Sequence, residues 1–525
     1  MGILKITQNI APRQTEKKLR IVLIFFKKVL FLRQLKPNYS IMSKLHLHEE
    51  AARCLLCHDA PCSKVCQKGN PGRAIRALRF NNDILAAKLF AECSDAELAE
   101  AEKACIHYDR PIRIGELAKQ VSEKYSQPAE LPSLAIDFCG IRCENPFFLA
   151  SSAVCTNYEM VARAFDAGWA GVFYKTICMQ DIHEVSPRFD AVSNEGDSDF
   201  FGFRNMEQLS ENPTRMDFDI LKRLKKDYPS KIVVASIMGQ TERQWIILAK
   251  MAERAGVDAI ELNFSCPQMR LTGMGSDVGQ NPELVTFYTA YVKRNVSIPV
   301  IPKMTPNITL MSRPATGAYF AGADAISAIN TIKSVTMGSR AAVSEKKTVS
   351  GYSGRAVKPI ALRFILEMAQ NPVMKNIQLS GIGGIETWRD ALEFIQLGCR
   401  NVQVCTSVMQ YGYRIIDDLV DGLQGYMLER GVKSLDELVG EELPNFVTPH
   451  DLDRSTMVYP KFDHEKCVGC GRCYVSCMDG GHQAIEFDTE KRVPRLLGSR
   501  CVGCHLCRLV CPAQAIGVTK RVPKK

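Results

Sequence analysis

Eight short apolar segments, most of them separated by an amphipathic helical pattern, constrain the fold of this chain more than any other feature. Glu242–Gly256 is one such helical pattern. Buried parallel strands have continuous apolar sequences because both faces of the sheet are covered. The eight segments are Pro146–Ser151, Ala170–Thr176, Lys231–Met238, Asp258–Pro267, Ile298–Thr305, Asp324–Thr331, Asn376–Gly384 and Asn401–Val408.

Eight such units over roughly 270 residues predict an α/β fold, a (β/α)8 TIM barrel, within residues 134–430. An open, doubly wound sheet is the structural alternative. In a barrel, functional residues lie at the carboxyl ends of the strands. Polar or glycine residues end several segments, where a purely structural barrel has no need of them. They are Lys175, Thr176, Asn263, Ser265, Cys266, Lys303, Asn330, Thr331, Gly383, Gly384, Cys405 and Thr406.

Two cysteine runs near the C-terminus, "CVGCGRCYVSC" and "CVGCHLCRLVC", share the spacing C-x2-C-x2-C-x3-C. This is the spacing of two-cluster ferredoxins, in which the fourth cysteine of each run binds the other cluster. Two zinc sites are the alternative, but zinc ligands usually form two separated pairs. We therefore predict a ferredoxin-like domain over residues 460–525, after a connector at 431–459. One [4Fe-4S] cluster is expected on Cys467, Cys470, Cys473 and Cys511, and the other on Cys501, Cys504, Cys507 and Cys477.

A second group of six cysteines lies near the N-terminus, in a predicted helical module over residues 42–122. The run Cys54–Cys66 has the spacing C-x2-C-x4-C-x3-C, and Cys93 and Cys105 follow. Six cysteines complete one iron–sulfur cluster and leave two over. A zinc site or a module without metal are the alternatives here.

The remaining bulk features exclude several classes of function. The net charge of +10 comes from residues of both signs mixed along the chain, so no nucleic-acid footprint is indicated. Clustered cysteines favour metal binding over disulfides, and they therefore indicate a reducing, cytoplasmic compartment.

The apolar stretch Leu19–Lys36 is interrupted by Lys27 and Lys28, so it contains no apolar run of the about 20 residues that a membrane span needs. Residues 1–41 are expected to be a poorly structured leader, or to precede a true start at Met42. A basic interfacial helix is the alternative.

Electron-transfer chemistry follows from the cysteine groups. Clusters pass single electrons whereas most organic substrates react with two, and a flavin in the barrel can do both. The ends of the seventh and eighth segments lie where barrels often bind phosphate. Lys175 and Lys303 are costly in a barrel mouth unless they face an anion, although a lysine that reaches the rim is the alternative. No Rossmann fingerprint is present, so if the enzyme uses a nicotinamide, a partner subunit must supply the domain that binds it.

Several motifs together resemble the dihydropyrimidine dehydrogenase family, from about Leu134 to the end of the chain. They include "FYKTI", "NMEQLSENP", "ELNFSCPQM", "KMTPNI", "INTIKS" and "SGIGGIETW". The resemblance implies an FMN-containing oxidoreductase acting on CH–CH bonds, which reversibly reduces the 5,6 double bond of uracil or thymine. It also implies a hetero-oligomer, in which a partner subunit with FAD and NAD(H) supplies electrons through the clusters.

The resemblance assigns roles to individual residues. Cys266 would protonate pyrimidine C5 while hydride passes from FMN N5 to C6. Its other assignments fall into three sets. The pyrimidine would be bound by Asn205, Asn263, Ser265, Asn330 and Thr331; FMN by Ser151, Lys175, Thr176, Lys303, Gly354, Gly383, Gly384, Cys405 and Thr406; and an N-terminal cluster by Cys54, Cys57, Cys62 and Cys105. Cys66 and Cys93 are then left without enough partners for a second N-terminal cluster.

The acid role of Cys266 has an independent physical basis. An unperturbed thiol, with a pKa of about 8.5, is mostly protonated near neutrality and can act as an acid. Gly273, Gly275 and Gly279 would allow the following loop to open and close. Two alternatives remain: a dihydroorotate dehydrogenase, whose substrate carboxylate favours an additional cation, and an electron-transfer subunit with an inactive barrel.

Overall fold

The computed structural model describes residues 47–107, 110–125, 131–193, 200–267, 273–336 and 348–524. The described residues form two compact units. One is Leu47–Val447, and the other begins at Thr448. The predicted leader at 1–41 lies outside the described residues.

The first unit contains a closed barrel of eight parallel strands, which confirms the predicted (β/α)8 fold. Each strand pairs with the next along the chain, and the last pairs with the first through Val402–Phe147 and Val404–Leu149. The strands are β1 (Phe147–Leu149), β2 (Gly171–Phe173), β3 (Ile232–Ile237), β4 (Ala259–Asn263), β5 (Val300–Lys303), β6 (Ala325–Ala328), β7 (Gln378–Ile382) and β8 (Cys399–Val404).

The eighth apolar segment contains a strand, as predicted, but its predicted end is wrong. Strand β8 begins at Cys399 and ends at Val404, and Thr406–Tyr411 forms a short helix instead of strand. Val408 is buried in that helix. A buried helical turn and a buried strand are both apolar, so the run of apolar residues does not reveal the boundary between them.

Helices surround the barrel, and four of them have an asparagine or threonine N-cap that bonds a backbone N–H of the first turn. The barrel helices are Tyr158–Ala167, Thr214–Asp227, Glu242–Ala255, Pro282–Lys293, Ser312–Phe320, Lys358–Ala369, Trp388–Gln396 and Ile415–Arg430. Shorter turns are the α-helix Ser276–Gly279 and the 3-10 helices Ala153–Cys155, Arg355–Val357, Pro372–Met374, Leu435–Glu437 and Leu443–Asn445.

A four-stranded antiparallel sheet, which was not predicted, is formed by insertions after β2 and β6. Its strand order is Ile332–Ser334, Ser350–Ser353, Phe200–Asn205, Phe189–Ser193. Asn205 pairs with Gly351 in this sheet. Asn205 belongs to no barrel strand, yet the sheet brings it close to the carboxyl ends of the barrel strands. A small hairpin, Ile136–Phe138 with Ile141–Cys143, precedes β1.

The N-terminal module of the first unit is helical, as predicted, and has its own apolar core. It contacts the last barrel helix: the Arg76 guanidinium lies 2.8 Å from the Asp418 carboxylate, and Arg73 lies 3.4 Å from Asp421. Its helices are Leu47–Ala52, Pro71–Arg79, Asp83–Ala91, Asp95–Lys103 and Ile114–Ser122, with a 3-10 turn at Pro61–Ser63.

The second unit is small and largely made of two similar halves. Helices Arg472–Gly480 and Leu506–Leu509 each carry the third cysteine of one run. Its strand pairs are Thr456–Met457 with Val522–Pro523, Pro460–Phe462 with Ile516–Val518, and Ile485–Asp488 with Val493–Leu496. Across the described residues, no helix has the length and apolar character needed to span a bilayer.

Asp418 gives the first unit a specific pH dependence. Its side chain is fully buried, and burial raises its pKa to about 7, although Arg76 lowers it. The carboxyl in the unfolded chain has a pKa of about 3.9. Between these two values the unfolded state releases a proton that the folded state keeps. Stability must therefore fall as the pH rises through this window.

We expect Asp418→Asn to flatten the pH dependence of stability between about pH 4 and about pH 7. The wild-type contribution is at most about 1.4 kcal/mol per pH unit. Urea unfolding followed by tryptophan fluorescence reports on this unit, because the three tryptophans are Trp169, Trp245 and Trp388. Glu429→Gln, at an exposed position on the same helix, should keep the wild-type slope. An Asp418→Asn variant with that same slope would contradict the assignment.

Candidate functional site

A cavity lies at the carboxyl end of the barrel, bounded by the strand ends and by the antiparallel sheet. It contains about 1100 Å³ of empty space, part of it open to solvent. All but one of the predicted barrel site residues line it. They are Ser151, Lys175, Thr176, Asn205, Asn263, Cys266, Lys303, Asn330, Thr331, Gly354, Gly383, Gly384, Cys405 and Thr406.

Ser265 is the predicted site residue that does not line the cavity. It is fully buried, and its hydroxyl donates to Asn263 Oδ1 at 2.8 Å while it accepts from Asn330 Nδ2 at 2.8 Å. The Ser265 backbone N–H also donates to Asn263 Oδ1, at 3.1 Å. Ser265 therefore orients two asparagines from behind, and a ligand in the cavity would contact the asparagines.

A second set of hydrogen bonds runs beneath the cavity through the barrel interior. Asn263 Nδ2 donates to Thr176 Oγ1 at 2.9 Å, and the hydroxyls of Ser151 and Ser236 lie 3.0 and 2.9 Å from the same oxygen. Ser236 in turn donates to Glu261 Oε1 at 2.9 Å. Residues of β3 and β4 and the ends of β1 and β2 thus share one continuous network.

The two predicted lysines are both buried and both paired with a carboxylate. Lys175 contacts Glu207, which also accepts from Arg188 at 3.0 Å. Lys303 lies 3.6 Å from Glu261. Burial raises the pKa of Glu207, but the charges of Lys175 and Arg188 outweigh it and hold that pKa below its usual value.

Glu207 and Glu261 were missed by sequence reasoning, although the sequence contains a signal for one of them. Glu261 is a charge in the centre of an otherwise apolar strand, "AIELN". Such a charge is rare in a buried strand unless it is paired. Glu207 lies in a loop after Asn205, where a glutamate is unremarkable until the fold places it beside Lys175.

Glycines form a backbone cradle at one side of the cavity. Gly354, Gly383 and Gly384 have φ values of +88°, +126° and +76°. A Cβ on Gly384 would lie 2.8 Å from the Lys358 backbone nitrogen and 3.0 Å from the Gly354 carbonyl oxygen. Only glycine allows these two chain segments to approach so closely, and the position after β7 and β8 is one where barrels hold phosphate. The residues therefore fit the phosphate of FMN.

Cys266 lies three residues past the end of β4 and lines the cavity with only 4% of its surface exposed. The chain returns to it at Ser276, whose N–H donates to the Cys266 carbonyl at 3.0 Å. A Cβ on Gly279 would lie 2.0 Å from the Phe264 carbonyl oxygen, so this return requires glycine. Residues 268–272 of the predicted mobile loop lie outside the described residues.

The N-terminal cysteines separate into two groups. Cys54, Cys57, Cys62 and Cys105 line one cavity with about 1170 Å³ of empty space. Burial, then the charges of Cys54 and the other two members, raise the pKa of Cys62 to about 11, as expected for thiols crowded together. A second group, Cys66 and Cys93, lies outside this cavity, and burial followed by the Cys66 thiol raises the pKa of Cys93 to about 12.

The four thiols line a single cavity. Among the described residues, no three His, Cys, Asp or Glu side chains converge closely enough to hold one metal ion. This holds for the cysteines of the second unit as well. In a cubane cluster each cysteine binds a different iron atom, so its four cysteines surround the space that the cluster fills.

In the second unit, Cys477 of the first run lies near Cys501 and Cys507 of the second run, as the predicted exchange of the fourth ligand requires. Cys507 also lies near Cys473, and the assignment of Cys511 to the other cluster stays a prediction. The Cys473 thiol interacts electrostatically with Cys467 and Cys470, whereas Cys501 interacts with Cys504 and Cys477. Backbone N–H groups point at four of the sulfurs: Gly469 at Cys467, Ala484 at Cys477, Gly503 at Cys501 and Ala515 at Cys511, at 3.3–3.5 Å. Such N–H···S bonds tune the potential of iron–sulfur clusters.

Two family models match the chain: dihydroorotate dehydrogenase over residues 133–427 and a 4Fe-4S dicluster domain over residues 461–518. The chain is 52% identical over 389 residues to the NAD-dependent dihydropyrimidine dehydrogenase subunit PreA of Escherichia coli (strain K12). The matched region covers 73% of this chain and 94% of that protein. It is 37% identical over 351 residues to the chloroplastic dihydropyrimidine dehydrogenase (NADP(+)) of Arabidopsis thaliana (63% and 82%). It is 35% identical over 311 residues to the catalytic subunit of dihydroorotate dehydrogenase B (NAD(+)) of Pyrococcus abyssi (58% and 98%).

Iron content distinguishes the two N-terminal cysteine groups. We expect about twelve iron atoms per chain in anaerobically purified protein, from three four-iron clusters. Cys57→Ser should reduce this to about eight, because it removes a ligand from the four-cysteine cavity. Cys66→Ser is the matched control and should leave the iron content unchanged. Equal iron loss in both variants, or about eight atoms in the wild type, would contradict the four-cysteine assignment.

Proposed function

Since the chain belongs to the dihydroorotate dehydrogenase family, and within it to the dihydropyrimidine dehydrogenases, we propose that it reversibly reduces the 5,6 double bond of uracil or thymine. Bound FMN supplies two-electron chemistry at the pyrimidine and one-electron exchange with the clusters. The observation that carries the proposal is that Cys266 and the amides of Asn263 and Asn330 face one cavity with two paired lysines.

The hydrogen-bonding state of the asparagines supports a substrate with carbonyl oxygens. The carbonyl of Asn263 accepts two bonds from Ser265, and the carbonyl of Asn330 accepts from the Thr331 backbone N–H at 2.9 Å. Each amide nitrogen carries two N–H bonds. Asn263 donates one of them to Thr176, and Asn330 donates one to Ser265. The remaining N–H of each can donate to the carbonyl groups of a pyrimidine.

The charge balance of the cavity supports a neutral ligand ring over orotate. Each cation that lines the described part of the cavity has a carboxylate partner. The pairs are Lys175 with Glu207, Lys303 with Glu261, and Arg355 with Glu386 at 3.8 Å. A substrate carboxylate would therefore compete with these glutamates, whereas uracil and thymine carry no charge. The fused dicluster unit and the higher identity to the dihydropyrimidine dehydrogenase subunit support the same choice.

Cys266 is the residue proposed to carry the proton to pyrimidine C5. Its thiol lines the cavity and is largely buried, so a proton on sulfur can pass to a substrate bound there. The carbon that it protonates must lie between this thiol and the amides that hold the ring. Lys175 and Lys303, each already paired with a glutamate, are proposed to contact the flavin as hydrogen-bond donors.

Electrons are proposed to enter through the iron–sulfur clusters from a partner subunit that binds FAD and NAD(H). The relative from Escherichia coli is itself described as a subunit. All 21 cysteines lie within the described residues and none of them forms a disulfide, which fits a reducing, cytoplasmic compartment. The working protein is thus proposed to be a hetero-oligomer.

The substrate assignment predicts the outcome of an anaerobic assay. Purified holoprotein should contain FMN and reduce uracil or thymine with an artificial one-electron donor, and it should turn over orotate much more slowly. Flavin-containing protein that prefers orotate would support the dihydroorotate dehydrogenase alternative. Iron-replete protein without flavin would instead favour an electron-transfer subunit.

Cys266→Ala should retain FMN and iron but lose at least about a hundredfold in kcat, because proton transfer by a positioned group contributes that much or more. Cys178→Ala is a suitable control. Cys178 is a buried thiol close enough to interact electrostatically with Cys266, but it does not line the cavity. The control should keep wild-type turnover. Unchanged pyrimidine reduction in Cys266→Ala would remove this thiol from the acid role.

A further inference from the structure

We propose that Glu261 is a positioning residue that sets the direction of the hydrogen-bond chain beneath the cavity, so that Ser151 faces the bound flavin only as an acceptor. The inference rests on the proposed binding of FMN in this cavity. It assigns to Glu261 a function beyond pairing with Lys303, and to Ser151 a defined polarity.

Glu261 occupies the interior of the barrel and has no solvent exposure. Its two carboxylate oxygens have different partners. Ser236 Oγ donates to Oε1 at 2.9 Å, and Ser327 Oγ donates to Oε2 at 2.9 Å. Lys303 Nζ, 3.6 Å from Oε1, is its counter-ion. A buried carboxylate is costly unless it has a counter-charge and hydrogen bonds, and here Lys303 supplies the charge and each oxygen accepts one bond.

The direction of every bond in the chain follows from this carboxylate, because an ionised carboxylate can only accept. The single hydroxyl proton of Ser236 is used on Glu261, so Ser236 must accept from Thr176 at 2.9 Å. The proton of Thr176 is then used on Ser236. Thr176 must accept from both Asn263 Nδ2 and Ser151 Oγ, and these fill its two lone pairs.

Ser151 is the last member of this chain, and it lines the cavity. Because its proton points at Thr176, its hydroxyl presents only lone pairs to a ligand. A serine whose hydroxyl can rotate freely would donate a hydrogen bond to a ligand as readily as it would accept one. The proposed chain therefore makes Ser151 selective for an N–H group of the ligand, which it could not be without Ser236 and Glu261.

A double-mutant cycle on FMN affinity tests the proposal, with FMN titrated into the deflavinated full chain and followed by fluorescence quenching. Ser151→Ala should weaken FMN binding by about tenfold in the wild-type background, the value of one well-placed hydrogen bond. In a Ser236→Ala background the same change should cost about twofold or less, because the direction of the chain has been lost.

Two matched backgrounds separate direction from simple packing. Ser327→Ala removes an equally buried serine from the other carboxylate oxygen, outside the chain to Ser151, so Ser151→Ala should still cost about tenfold. Ser236→Thr restores a hydroxyl and should restore the tenfold effect. Glu261→Met removes the carboxylate acceptor and should lose the coupling. If Glu261→Met does not fold, Ser236→Ala decides the result.

The possible failures are distinguishable. A wild-type chain that takes up FMN, but in which Ser151→Ala has the same effect in the Ser236→Ala and Ser327→Ala backgrounds, overturns this inference alone. So does an absence of any Ser151→Ala effect in the wild type. A wild-type chain that binds no FMN overturns both the inference and the proposed function.

Discussion

A glutamate and a lysine buried side by side inside the barrel determine the polarity of the site above them. Glu261 and Lys303 both lie at or below 3% exposure. Either charge alone would be unstable there, and the pair becomes tolerable because serines satisfy the remaining lone pairs. The donors and acceptors that reach the cavity are arranged outward from this pair. The electrostatics of the site are thus decided one layer below the residues that contact a ligand.

The first unit combines two sites that differ in what they bind. The barrel cavity has balanced charges and amide donors, which suit a neutral heterocycle beside a flavin. The N-terminal cavity has four crowded thiols, with Arg73, Arg76 and Arg414 among its lining residues. Arg76 lines this N-terminal cavity and also pairs with Asp418 of the last barrel helix. The electrostatic environment of the four thiols is therefore linked to the docking of the module on the barrel.

Much of the site could be predicted from the sequence because a barrel makes position along the chain informative. Lys175, Asn263, Lys303 and Asn330 end apolar segments, and the carboxyl ends of parallel strands meet around one opening. Asn205 could be assigned only by resemblance to a family, since its strand belongs to an inserted antiparallel sheet. Ser265 was predicted to bind the pyrimidine, which stays a prediction; in the structure it is buried and bonds to two asparagines that line the cavity.

The sequence by itself determined the eightfold barrel, the two ferredoxin-type cysteine runs and Cys266 as a cysteine outside every ligand group. These features are periodic or have a fixed spacing, so each can be recognised within a short stretch of chain. Tertiary structure decided which N-terminal cysteines share a cavity, and that Glu207 and Glu261 are the partners of the two lysines. Glu261 and Lys303 are 42 positions apart, and only the pairing of β4 with β5 brings them into contact. Hydrogen-bond direction depends on such contacts, so it cannot be derived from local sequence.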